Sequence, residues 1–277
     1  MFYNTSSFRE PLAAVRTDRA HAIVVLLPSE SKRLIAKAVV ELPEVKSALA
    51  EGIVIVSRGV TPSFIAEELG ASGLVRPYCS AGIVTDGRLA TTLAERRMGP
   101  WVFRRGELVE EEAEAALAEF DSTDVSIKGA NAVDPDGNVG VLAASETGGT
   151  IGSIWPTLSA RGAYLIAPTG LEKLVPSVID AAMHCGNRLF DYVMGSNVGL
   201  IPVVNALVVT EVQALELLTG VTATHVSSGG VGGSEGAVIL TLEGGDETVR
   251  TAFELVESLK DEPATAMPEL EPAVRIP

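Results

Sequence analysis

Short apolar runs, each ended by glycine, proline or a polar turn, recur along the first two hundred residues and alternate with helical patterns. They cover residues 22–27, 53–56, 139–144 and 164–167. An unbroken apolar run is typical of a strand buried on both faces, as in a parallel sheet covered by helices. We therefore predict an α/β fold: a mostly parallel sheet with helices on both faces, built largely from aliphatic side chains because only 5% of residues are aromatic.

The pattern changes near Gly199. Residues 203–209 read as a strand, 211–218 as a helix, 223–227 and 237–242 as two strands, and 247–259 as a helix. This β-α-β-β-α order predicts a small ferredoxin-like α+β domain whose last strand is missing or supplied elsewhere. We expect an α/β ligand-binding domain at 1–198, the ferredoxin-like domain at 199–262, and a loose, proline-rich tail at 263–277.

The net charge of the chain restricts the classes of molecule that it can bind. The formal net charge is −15 and the isoelectric point is about 4.7. A field of this sign repels nucleic acids and anionic membrane surfaces, so we expect neither as a partner. A small anionic ligand remains compatible, because backbone N–H groups at a helix start supply local positive potential.

Cysteine and histidine usage indicates no metal site and leaves any cofactor unknown. The two cysteines, Cys79 and Cys185, form no CxxC pair, and the three histidines are far apart. A disulfide is possible but not indicated. The chain start does not resemble a signal peptide, and the apolar stretches fall well short of the roughly 20 residues of a membrane span. We expect a cytoplasmic protein.

Charged residues and glycines are concentrated in 128–152, where strands are predicted to end. Lys128 follows one predicted strand and Glu146 follows another. Ligands bind at the carboxyl ends of parallel strands, so we expect Glu146, Lys128 and Asp134 as catalytic candidates for acid–base or covalent chemistry. The accompanying binding candidates are Gly129, Asn131, Thr147, Gly148 and Gly149. The competing interpretation is that Asp134, Asp136 and Asn138 only form a turn, and that Lys128 is solvated.

A second candidate is the strand–glycine turn–helix unit at 53–69. We expect Arg58, Gly59 and Thr61 to hold a phosphate, with Thr61 as helix N-cap and Pro62 at the first helical position. Plain helix capping explains the same residues. The central hypothesis is that Thr61 and Glu146, about ninety positions apart, face one hollow at the same rim of the sheet.

Two further segments are weaker candidates. Glu172 and Lys173 follow a predicted strand end, so Lys173 is included as a binding residue, although a surface charge pair is an equally fair interpretation. Residues 229–236 are glycine-rich but lie between two strands, which favours a flexible hairpin.

The residues quoted so far resemble a known superfamily. The unit at 53–69 is similar to the phosphate loop of the superfamily of ribose-5-phosphate isomerase, glucosamine-6-phosphate deaminase and CoA transferases. The string 128–137 resembles the turn of the isomerases and of the translation initiation factor 2B group. The order of Gly129-Ala130, Glu146-Thr147-Gly148 and the segment 170–176 looks most like the LUD domain of lactate-utilisation proteins. The resemblance covers about 22–182.

This resemblance implies binding of a phosphorylated or CoA-like metabolite, with isomerase or acyl/CoA transferase chemistry. Ser145-Glu146-Thr147-Gly148 is similar to the motif whose Glu forms a CoA thioester. The chain departs from the isomerases because Asn131 stands where their first Asp would be, and Lys128 precedes the motif. The alternatives are therefore a non-catalytic metabolite sensor, and a homo-oligomeric subunit or scaffold that pairs through a sheet edge of the C-terminal domain.

Overall fold

A computed structural model describes residues 19–272. Eight α-helices lie in this part of the chain: α1 (Pro28–Glu41), α2 (Pro43–Glu51), α3 (Val60–Glu68), α4 (Ala113–Glu119), α5 (Gly149–Arg161), α6 (Val178–Met183), α7 (Glu211–Thr219) and α8 (Asp246–Glu257). The strands are β1 (Ala20–Leu26), β2 (Ile53–Val56), β3 (Gly82–Thr85), β4 (Arg88–Thr91), β5 (Trp101–Arg104), β6 (Glu107–Val109), β7 (Val125–Ile127), β8 (Ala132–Val133), β9 (Val139–Ala143), β10 (Tyr164–Pro168), β11 (Gly199–Val203), β12 (Leu207–Val209), β13 (Thr222–Ser228) and β14 (Val238–Gly244).

The largest sheet has six strands in the order β12-β10-β7-β2-β5-β6. Strands β12, β10, β7 and β2 are parallel, whereas β5 and β6 are antiparallel additions beyond β2. The α/β class is confirmed, but the sheet is mixed and the dominance of parallel pairing is not confirmed. The antiparallel edge arises because residues 101–109 form a hairpin, β5–β6, whose first strand pairs with β2.

Helices cover both faces of this sheet, as predicted. Side chains alternate along each strand, so Val54 and Val56 belong to one core while Ile53 and Ile55 belong to the other. Helices α1, α2, α3 and α7 contribute buried residues to the first core, and α4 and α5 to the second. All four residues of β2 are buried, which explains why the strand is apolar without alternation.

Helix α8 packs against one face of a three-stranded antiparallel sheet, β1-β14-β13. Strand β1 was expected to be buried throughout, but only one side of it packs: Val24 and Leu26 are buried, while Ile23 is 62% exposed. The other side lies on the uncovered face of the sheet. The ferredoxin-like domain at 199–262 is not confirmed, because β14 takes β1 as its second partner and β12 joins the large sheet. Strand pairing therefore crosses the expected boundary at 198/199.

A second small sheet, β11-β9-β8, is also antiparallel. Strand β9 was expected to end at the rim of the parallel sheet. Instead, the turn at Asp134 reverses the chain, so β9 pairs with β8 and leaves the large sheet. The single strand expected at 203–209 is divided between β11 and β12, which belong to different sheets.

The remaining described segments lie on the periphery. Strands β3 and β4 form a separate hairpin. The expected tail runs along it, with Glu271 N–H donating to the Thr91 carbonyl at 2.9 Å; residues 273–277 lie outside the described residues. Cys79 and Cys185 are both free. None of the helices in residues 19–272 combines the length and apolarity needed to cross a bilayer.

Candidate functional site

Polar residues follow each of the four parallel strands at its carboxyl end. We call this edge the rim and define it as residues 57–59 after β2, 128–129 after β7, 169–173 after β10 and 210–211 after β12. Because these strands are neighbours in the order β12-β10-β7-β2, their ends form one continuous edge. Ligands of open α/β sheets bind at such an edge.

The residues that follow β2 and β7 meet at the rim. The Lys128 amine donates a hydrogen bond to the Arg58 carbonyl at 3.2 Å. A Cβ atom added to Gly59 would lie 2.8 Å from Pro62 Cδ, and one added to Gly129 would lie 3.1 Å from the same atom. Both positions therefore favour glycine, because the side chain of any other residue would collide with Pro62.

Thr61 differs from its expected role. Helix α3 begins at Val60 with Gly59 as N-cap, so Thr61 lies inside the first turn and Pro62 one residue further on. Thr61 is buried, whereas the Arg58 side chain is exposed beside the rim. The strand–turn–helix unit is thus confirmed, but its helix starts earlier than the N-cap rule predicted.

Two lysines, Lys128 and Lys173, occupy the centre of the rim and follow the neighbouring strands β7 and β10. The Lys173 amine donates to the Ala130 carbonyl at 3.0 Å. Both lysines are half-buried. Among the residues that the structure describes, no carboxylate lies within ion-pair distance of either amine.

The surroundings lower the pKa of both amines. Burial, and then the positive charge of Lys173, lowers the pKa of Lys128 to about 8. Burial lowers the pKa of Lys173 and the charge of Lys32 lowers it further, although Glu172 and Glu211 act in the opposite direction. A lysine amine that has a lowered pKa and no counterion is suited to bind an anion or to act as a nucleophile.

The structure adds two residues that the sequence did not single out, Lys32 and Glu211. The Lys32 amine, on α1, donates to the Pro28 carbonyl at 2.9 Å and lies 3.4 Å from a Glu172 carboxylate oxygen. Nothing in the local sequence of α1 signals this position. Glu211, in contrast, follows β12 directly, and the strand-end rule would have found it if residues 203–209 had not been assigned to a separate domain.

Glu211 is completely buried. One carboxylate oxygen accepts a hydrogen bond from Leu171 N–H at 2.9 Å, while the other, Oε1, has no hydrogen-bond partner among the described residues. Burial raises the pKa of this carboxyl above its ordinary value. A Cβ atom on Gly170 would approach Oε1 to 3.0 Å, so Gly170 leaves the space that this carboxyl occupies.

The glycine-rich segment 229–236 reaches the same end of the rim. It connects β13 to β14, so its interpretation as a hairpin loop is confirmed. A Cβ atom on Gly236 would lie 2.9 Å from a Glu172 carboxylate oxygen and 3.1 Å from Pro28 Cγ. The loop therefore packs beside the Lys32–Glu172 pair.

Glu146 lies elsewhere, because β9 is not a strand of the large sheet. Its carboxylate is exposed and forms an ion pair with Arg188. It lines a cavity of about 970 Å³ together with Arg88 and Asn187, and none of the rim residues lines this cavity. Within the described residues, Glu146 forms no hydrogen bond or ion pair with Lys128 or Thr61.

The residues after Glu146 form the start of helix α5. Thr147 Oγ1 lies 3.1 Å from Ser145 Oγ, and Gly148 is the left-handed N-cap (φ 82°) before Gly149, the first helical residue. Gly148 is required there by its backbone conformation. Thr147, Gly148 and Gly149 therefore accompany Glu146 and not the rim.

Asn131 and Asp134 belong to the β8–β9 hairpin. Asn131 Oδ1 accepts a hydrogen bond from Leu142 N–H at 3.0 Å. The buried Asp134 carboxylate accepts four hydrogen bonds, from Asp136 N–H, Asn138 N–H, the Asn138 side chain and Val178 N–H. Burial raises the pKa of Asp134, but these hydrogen bonds outweigh it and the net pKa lies below the ordinary value. Such a carboxylate organises the turn and has no free oxygen for proton transfer.

The site thus consists of Lys128, Lys173 and their neighbours at the rim, with Glu146 beside a separate cavity. Comparison of the chain with protein-family models, with curated proteins and with solved structures finds no match. The functional assignment therefore depends on the geometry and chemistry of these residues.

Proposed function

We propose that this protein binds a small anionic metabolite, phosphorylated or CoA-like, at the rim of the parallel strands. The observation that carries the proposal is the pair Lys128 and Lys173: two half-buried amines that follow neighbouring strands and have no carboxylate partner in residues 19–272. Burying two like charges together is unfavourable unless an anion accompanies them. A bound anion would supply the missing counterion.

The sequence resemblance supports this ligand class. The resemblance of 53–69 and 128–137 to the superfamily of ribose-5-phosphate isomerase and CoA transferases implies the same type of ligand. Isomerase or acyl/CoA transferase chemistry is the reaction class we propose for it.

Inorganic phosphate tests the proposal. At ten times its dissociation constant, phosphate is expected to stabilise the chain by about 1.4 kcal/mol, measured as a rise in thermal midpoint. Replacing Lys128 and Lys173 together by Gln should abolish this rise. Lys46→Gln is the matched control, because Lys46 forms an exposed pair with Glu41. An undiminished rise in the double variant would contradict binding at the rim.

The cavity beside Glu146 supports a second candidate, acyl transfer through a Glu146 thioester. Its observation is that the carboxylate is exposed beside two arginines, Arg88 and Arg188, in a cavity large enough for a metabolite. The same phosphate titration separates the two locations. Loss of stabilisation in the variant with Arg88→Gln and Arg188→Gln, with no loss in the lysine variant, would place the anion here.

We further propose that the chain forms a homo-oligomer through the sheet β1-β14-β13. The uncovered face of this sheet presents Ile23, 62% exposed, and Val25, 44% exposed, and β1 and β13 are its edge strands. Light scattering is expected to give a multiple of the 28.9 kDa chain mass, and Ile23→Lys to reduce it. Thr251→Lys, at an exposed position of helix α8 on the covered side of the sheet, is the control. A single-chain mass for the unaltered protein would refute this assembly.

Ligand stabilisation without turnover would favour the sensor or scaffold alternative.

A further inference from the structure

Lys128 and Lys173 differ from every other lysine of this chain. The sequence contains six lysines, all within the described residues. Lys32, Lys37, Lys46 and Lys260 each lie within ion-pair distance of a glutamate. Of the remaining two, Lys128 lies directly at the end of β7, between the ends of β2 and β10, and its side-chain hydrogen bond is to a neutral carbonyl.

We propose that Lys128 forms a Schiff base with the carbonyl carbon of a small oxo-acid whose carboxylate is held by Lys173. This inference rests on the proposed function, because it uses the same anion site, with a carboxylate as the bound anionic group. It requires one nucleophilic amine and one cation side by side, which is what the two unpaired lysines provide.

The two amines are suited to different roles. The side-chain hydrogen bond of Lys128 is to a carbonyl oxygen, which can accept from the neutral amine and, unlike a carboxylate, carries no net charge that would hold the lysine protonated. With a pKa of about 8, roughly a tenth of Lys128 is neutral at pH 7. Burial and the charge of Lys32 lower the pKa of Lys173 as well, but Glu172 and Glu211 oppose this effect, whereas no carboxylate opposes the lowering at Lys128. Lys128 is thus the nucleophile and Lys173 the cation.

The reaction balances without a further reactant. The neutral Lys128 nitrogen attacks the carbonyl carbon, a C–N bond forms as the C=O π bond breaks, and one proton passes from the nitrogen to the oxygen to give a carbinolamine. The nitrogen then gives up its second hydrogen as the oxygen departs as water, which leaves a C=N bond. No oxidant or reductant is consumed.

Reductive trapping tests the inference. The full-length protein is incubated with glyoxylate and cyanoborohydride at pH 7, and peptides are analysed by mass spectrometry. We expect label on Lys128 to exceed label on Lys46 by at least about tenfold, because the neutral fraction of an amine rises tenfold per unit fall in pKa. Lys128→Arg should lose this label, while Lys46→Arg should keep it. Label spread over the exposed lysines, or retained in full by Lys128→Arg, would overturn the inference.

Two further arms separate this inference from the proposed function. Lys128→Arg retains a positive charge, so phosphate should still raise its thermal midpoint although it forms no adduct. Propanal, which lacks a carboxylate, should label Lys128 less than glyoxylate does. Phosphate stabilisation with no adduct overturns the Schiff base alone. If propanal labels Lys128 as strongly as glyoxylate does and phosphate does not stabilise the protein, anion binding at the rim is overturned.

Discussion

Replacing Asp134 by Ala is expected to lower the free energy of unfolding by about 3 kcal/mol, because four hydrogen bonds to a charged group are lost and the buried Val178 N–H is left unpaired. Three backbone N–H groups, those of Asp136, Asn138 and Val178, donate to this carboxylate. The first two close the β8–β9 turn, and the third connects it to α6. Chemical denaturation monitored by circular dichroism measures the loss.

The pH dependence of this effect follows from the lowered pKa of Asp134. The folded chain holds the carboxylate deprotonated more strongly than the unfolded chain does. Its contribution is therefore fully present above the ordinary value of 3.8 and is lost as the pH falls through the lower folded-state pKa. The difference between wild type and Asp134→Ala should shrink only in strongly acidic solution.

Asp136→Ala is the matched control. Asp136 lies two residues along the same turn and its side chain is exposed, so a change within about 0.5 kcal/mol is expected. A variant Asp134→Ala that unfolds like wild type would show that the turn does not depend on this carboxylate. The residue would then return to the list of catalytic candidates.

Replacing Lys128 by Met, in contrast to Asp134→Ala, is expected to raise the free energy of unfolding at pH 7. The half-buried amine has its pKa lowered from 10.5 to about 8, so its charged form is less stable in the folded chain than in the unfolded chain. After allowance for solvent screening at a partly exposed site, the gain is about 1 to 2 kcal/mol. Such a gain is expected where a residue is kept for function at a cost in stability.

The pH range over which Lys128→Met stabilises the protein is set by the pKa values of Lys128 in the folded and the unfolded chain. Below pH 8, Lys128 is charged in both states and the full penalty is present. Between pH 8 and 10.5 the unfolded chain binds more protons than the folded chain, so wild-type stability rises with pH and the advantage of Lys128→Met declines. Denaturation curves at pH 7 and pH 10.5 measure both ends of the window.

Lys46→Met controls for the general effect of removing a surface lysine. Lys46 is more than half exposed and pairs with Glu41, so its replacement should change stability little. If Lys128→Met destabilises the protein at pH 7 as a buried contact would, the interpretation of Lys128 as an uncompensated charge is wrong.

The sequence determined the local elements well. Unbroken apolar runs predicted strands β2, β9 and β10, because burial on both faces removes the need for polar residues. Polar residues at strand ends pointed to Lys128, Arg58 and Lys173, because a strand that ends at a sheet edge releases its next residues to solvent or ligand. These inferences need only the periodicity and the chemistry of neighbouring residues.

Only the tertiary structure decided which strands are neighbours. Apolar patterns are alike for β9, which leaves the large sheet, and for β12, which joins it, because a run of apolar residues reports burial and not the identity of the strand beside it. The pairing of β1 with β14 joins residues more than two hundred positions apart. Long-range packing therefore removed Glu146 from the rim and brought Lys32 and Glu211 to it, since side chains from separate elements meet only when the cores form.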